Sequence, residues 1–223
     1  MGNEEKIGAL VLALLLFSVA VSLMPTTIKY KYEAGPIPLP WVTGKGSYSG
    51  GISSNTISLI VDMGQVDVTA DPAIREPSIV MEGISPVVEE GTGRMVAGRL
   101  ALHLPDGWSG ELKVRMGMGA LTVRDASVRT LSVEMGMGSV EGSLEVKEKV
   151  SVKTDKGSVK LTLYVPEGVK VHVKVRALEG SVYYDGQKIE GGIIERTFGQ
   201  GEKIVEVEIE SYSVQLDLRL GRG

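Results

Sequence analysis

Met116 and Met118, followed nineteen residues later by Met135 and Met137, form two Met-Gly-Met-Gly tetrads in a chain that has no cysteine. Thioethers are soft ligands that suit Cu(I), and Met63 would join them if the segments carrying these residues lay side by side. The competing role is packing, because methionine fills irregular gaps beside glycine. Positions aligned with Met116 elsewhere in the chain hold Val61, Thr154, Ala177 and Leu220. That set reads as an interior ladder. Core filling is therefore the expectation for Met116, Met118, Met135 and Met137, with a Cu(I) site as the sharper alternative.

Other chemistry finds less support. Glycan hydrolysis needs two carboxylates facing each other across the scissile bond, and Asp62, Asp67 and Asp71 could supply them if the backbone brought them together. Acids do not recur at these positions in the other repeats, so an acidic surface face is the simpler reading. His103 and His172 each sit beside a similar turn, but neither has a Ser or Cys in a nucleophile motif, and both fall on outward positions of alternating strands. Met-Gly-Met-Gly is followed by no Lys-Ser/Thr and no helix start, which removes a phosphate loop. No catalytic residue and no cofactor site emerge. The expectation is a protein that is not an enzyme.

The elements that must position these side chains are strands. From residue 52 onward the apolar residues alternate with period two and show no helical period. Segments beginning at Ile57, Leu112, Leu131, Val150 and Val173 align on the glycines Gly64, Gly119, Gly138, Gly157 and Gly180. Gly119, Gly138 and Gly157 are each 19 residues apart. Equal spacing predicts stacked rungs. Leu112, Val114, Met116 and Met118 share one alternation, whereas Leu121 and Val123 follow in the opposite phase. A flat strand cannot hold both phases, so a corner is expected at each glycine, where a Cβ would cost roughly 1 kcal/mol or more. Pro105-Asp-Gly107 and Pro166-Glu-Gly168 read as two copies of one turn. Residues 216–223 match the half-repeat 112–119, which predicts a final coil left half made.

Composition narrows the function. A net charge of −4 over 223 residues offers no basic footprint for phosphate backbones, which makes nucleic acid an unsuitable partner. Residues 7–24 are an uncharged apolar run of eighteen with lysines on both flanks, read as an uncleaved membrane anchor, the alternative being a signal peptide cut after Ser22. The expected organisation is an anchor over residues 1–27, a Pro- and Gly-rich linker over 28–50 and an all-β solenoid of about 19-residue coils over 51–223. An N-terminal insertion signal usually serves export, which puts the β domain outside the cytoplasm. Abundant Val, Ile, Glu and Lys with no Cys would suit a hot environment.

The short Gly-Ser-Val repeats, the two Pro-Asp/Glu-Gly turns and the Thr197-Phe-Gly-Gln-Gly201 segment resemble the toast-rack and adhesin-head-like families of single-stranded β-helices. The resemblance covers residues 50–223. It implies an extracytoplasmic, often membrane-linked domain associated with envelope-stress sensing or surface attachment, and it transfers no catalytic residue. Met-Gly-Met-Gly stands where such corners are usually polar. Two roles follow as expectations. The first is a non-catalytic binding module with a protein or polysaccharide partner, and the second a homo-oligomeric structural subunit stacking through the open end at residues 214–223.

Overall fold

The computed structural model describes residues 44–220, so the apolar run at 7–24, the rest of the chain to residue 43 and the last three residues lie outside the described residues. Every element is a strand: β1 (Lys45–Gly51), β2 (Thr56–Asp71), β3 (Ser78–Ile84), β4 (Val87–Glu89), β5 (Thr92–Pro105), β6 (Glu111–Val165), β7 (Val169–Tyr184), β8 (Gln187–Glu190), β9 (Ile193–Gly199) and β10 (Lys203–Leu220). No helix occurs among the described residues, in keeping with the unbroken period-two pattern. Strand β1 takes up the end of the stretch read as linker.

Strand β6 is long because it passes through the stack three times. A side-chain carbon on Gly138 would overlap the carbonyl oxygen of Gly119, one on Gly157 that of Gly138, and one on Gly142 that of Val123. Each of these pairs is 19 residues apart, as is the bond from Arg115 Nε to Glu134 Oε2 at 2.9 Å. Successive passes therefore lie in one register. Strand β2 pairs in parallel with the first pass, bringing Gly64 opposite Gly119 and Val61 opposite Met116.

Order along the stack departs from order along the chain. Strand β2 lies between β5 and β6, and β10 lies between β6 and β7, all in parallel pairs. The margins are antiparallel: β1 on β3, β3 and β4 on β5, and β8 and β9 on β7. The sheet is mixed, where the repeat spacing alone predicts uniform coils. The two Pro-Asp/Glu-Gly turns lie where the chain steps past a rung, from β5 over β2 to β6 and from β6 over β10 to β7.

Placement of β10 also corrects the expected open end. Leu216 stands opposite Leu161 on one side and Val182 on the other, so residues 216–218 form the second half of their own rung and are paired on both edges. The half-repeat match to residues 112–119 misleads because both halves of a rung have the same alternation. Over residues 214–218 no backbone edge is left unpaired for a second copy to stack on.

The core is a column of aliphatic side chains, one set per rung. Ile57, Leu59, Leu100, Leu102, Leu112, Leu121, Leu131 and Leu144 are fully buried. Removing apolar area from water at roughly 25 cal/mol per Å² is the main source of stability for such a column. Trp108 closes it at the β5-to-β6 turn, its ring occupying the space a Cβ on Gly110 would need.

Candidate functional site

The corner glycines divide into two kinds. Gly64, Gly119 and Gly138 have φ of 147°, 148° and 142°, a region that side chains rarely enter, and each Cβ position is filled by a carbonyl of the neighbouring rung. Gly157 is crowded by Gly138 in the same way but is not among the positive-φ glycines. Gly180 stands opposite Val214, which stands opposite Val159, two places past Gly157. It keeps its small size for another reason, since a Cβ there would meet the carbonyl of Gly191.

The corner separates the methionines. Met116 and Met135 point inward and are 2% and 3% exposed, while Met118 and Met137 point outward at 45% and 44%. Met63 joins the outer set at 56% and is the register partner of Met118. Alternation would put Met116 and Met118 on the same face. The backbone instead turns through Gly117, Met118 and Gly119, which carries every second tetrad methionine to the outside. Two ladders result, an inner one continuing Val61 and an outer one of Met63, Met118 and Met137.

A different arrangement replaces the inner ladder where β10 joins β6. Between Lys153 and Ser158 the chain uses four residues, but between their partners Glu210 and Ser213 it uses two. The shortened corner slips out of register, and hydroxyls fill it. Ser211 Oγ donates to the carbonyl of Gly157 at 2.9 Å and lies 2.7 Å from Thr154 Oγ1, both side chains being buried. A serine has one proton to give, so Thr154 is the donor in the second bond.

The acids do not converge. Asp67 is buried, held by Arg99 at 2.9 Å and by Gln65 Nε2 at 3.0 Å. Asp71 closes a turn by accepting from the Ala73 N–H, and Asp62 is exposed on the corner. Asp71 is four residue steps along the strand from Asp67, roughly 13 Å, which exceeds the spacing of a glycosidase pair. His103 Nδ1 lies 3.0 Å from Thr69 Oγ1 in the rungs of β5 and β2. His172 lies in β7, with Nδ1 3.2 Å from Thr197 Oγ1 and Nε2 3.7 Å from Glu195. The two histidines occupy opposite ends of the stack.

No family model matches the chain, and no curated protein matches it. Solved structures do. One is described as a "putative cell adhesion protein" from Clostridium sporogenes ATCC 15579, 16% identical over 79% of this chain and 99% of that one, with a TM-score of 0.48. Another is described as a "putative adhesin" from Parabacteroides merdae ATCC 43184, 8% identical over 78% of this chain and 96% of that one, with a TM-score of 0.21.

Beyond the corner, the outward positions form rows along the stack. In one sheet face Lys153, Glu210 and Arg176 stand opposite one another on adjacent rungs, preceded by Arg115 and Glu134. Lys149 pairs with Glu206 at 3.1 Å two rows away, beyond the row of Ser151 and Glu208. Such exposed pairs contribute about 0–1 kcal/mol each, so their regularity matters more for the surface than for stability. In the second face Ser158 stands opposite Ser213, and Ser139 precedes Ser158 by 19 residues. A shallow depression of about 440 Å³ lies at the β7 end, lined by Leu178, Glu179, Ser181, Glu190 and Gln215 among others.

Proposed function

We propose that this chain is a membrane-tethered, extracytoplasmic β-solenoid that binds an extended protein or polysaccharide partner through its flat faces, without catalysis. The observation that carries this reading is the rows themselves. In one row of one face charges of alternating sign occupy five successive rungs, Arg115, Glu134, Lys153, Glu210 and Arg176, and in one row of the other face Ser139, Ser158 and Ser213 occupy three, at the roughly 4.8 Å interval fixed by strand pairing. A repetitive partner can engage such a surface at several equivalent points without a deep pocket, and the buried column keeps the points in line. The tether is residues 7–24, whose apolar length suits a bilayer, joined to the strands by a stretch rich in Pro and Gly.

Two measurements test it. Protease added to intact cells should digest the β domain; protection until the cells are broken would overturn the extracytoplasmic part. The full chain, reconstituted in vesicles, should bind members of a surface-polysaccharide and envelope-protein panel, and Ser158→Arg on the hydroxyl row or Glu210→Lys on the charged row should abolish that binding with the unfolding temperature kept. Binding indifferent to both substitutions, or no binding across the panel, would overturn recognition by these faces.

A further inference from the structure

Packing accounts for the inner methionines and leaves the outer ones unexplained. Met116 and Met135 fill the corner from inside, whereas Met63, Met118 and Met137 lie about half exposed on adjacent rungs. Any apolar side chain held in water forgoes the gain of burial, and three in a row on a corner is a feature that needs a use.

We propose that Met63, Met118 and Met137 form a soft-metal site that takes Cu(I) through three thioethers, a role separate from partner binding by the flat faces. Register sets the spacing: Met63 is opposite Met118, and Met118 and Met137 each precede one of the stacked glycines Gly119 and Gly138. Rungs are about 4.8 Å apart, so the row spans roughly 10 Å and the outer two flexible side chains can lean toward the middle one. Room for that movement is built in. Met118 lies between Gly117 and Gly119 and Met137 between Gly136 and Gly138, so the immediate chain neighbours of these two residues carry no side chain.

The donor set decides the metal. Neutral thioethers need no deprotonation and favour a soft monovalent ion over Zn²⁺, Mg²⁺ or Ca²⁺. Among the described residues no group of three or more His, Asp or Glu offers a harder site. The row also has defined ends, since Met63 faces Ala97 on β5 and the position after Met137 on the next pass is Lys156. Three ligands, and no fourth, are in line.

Ag(I), which shares the soft character of Cu(I) without its redox chemistry, is the probe. The full chain, labelled with ¹³C-methyl methionine and held in detergent micelles, is titrated in chloride-free buffer. The methyl signals of Met63, Met118 and Met137 should shift together and saturate at one Ag(I) per chain, while those of Met81, Met95, Met116 and Met135 stay in place. Replacing all three outer residues by Leu should remove this binding with the thermal transition unchanged. Should that variant fail to fold, Met118→Leu alone removes the central ligand and should give the same loss. Absence of the joint shift, or unchanged stoichiometric binding by a folded variant, would overturn the site.

Discussion

The corner at Gly119 and Gly138 and the corner at Thr154 and Ser211 perform the same turn in the same stack by opposite means. At the first, every rung uses the same number of residues, carbonyl meets glycine, and a long thioether fills the inside. At the second, the corner of β10 is two residues shorter than that of β6, so the ladder slips and the carbonyl of Gly157 takes its bond from a side-chain hydroxyl. A buried carbonyl without a donor costs about as much as a lost hydrogen bond, which explains a serine at 211 beside Thr154. Rung length thus decides the chemistry of the filling: equal rungs admit a dry corner, and unequal rungs require a polar one.

The comparison breaks most severely if the dry corner is denied its glycine. Gly138→Val should cost at least about 4–5 kcal/mol, because the new side chain meets backbone, not a movable side chain, and enters a disfavoured φ. Gly107→Ala, with φ of 69° but open space around it, should cost only about 1 kcal/mol. Denaturant midpoints of the two variants measure the difference, and equal midpoints would show that the carbonyl contact is not what holds the corner.

Next in size is the split between the ladders. Met135→Ala should lower stability by roughly 2–5 kcal/mol, whereas Met137→Ala, two residues away, should change it by no more than about 0.5 kcal/mol. Thermal unfolding of the pair checks this, and similar losses would place both side chains in the core. The smallest contrast belongs to the polar corner. Ser211→Ala leaves both the Gly157 carbonyl and the Thr154 hydroxyl without a partner and should cost about 1–3 kcal/mol. Thr154→Val should cost less in the same denaturation experiment, since Ser211 still reaches Gly157.

Much of the stack could be read from residue spacing. The 19-residue interval among Gly119, Gly138 and Gly157, the alternation of Leu112, Val114 and Met116, and the turns at Pro105 and Pro166 are local signals, and each has a counterpart in the strands. What escaped was geometry that no local pattern encodes. Period two assigns Met118 to the side of Met116, and only the turn at the corner reverses it. Gly180 aligns with Gly157 up to the corner and then falls two places out of step, because a shorter corner looks the same as an unshortened one until its partner strand is known. The insertion of β10 between β6 and β7 was hidden for a related reason: all rungs share one alternation, so the pattern names a rung without naming its neighbours.

That insertion has a consequence for how the chain is made. Until residues from Lys203 onward have left the ribosome, β6 and β7 lack β10, the strand that pairs with both of them. Of the described strands it is the last to be synthesised, and it joins two earlier ones whose edges would otherwise be open to pairing with foreign strands. A nascent chain halted before residue 203 would be more than a shorter protein; it would be a sticky one.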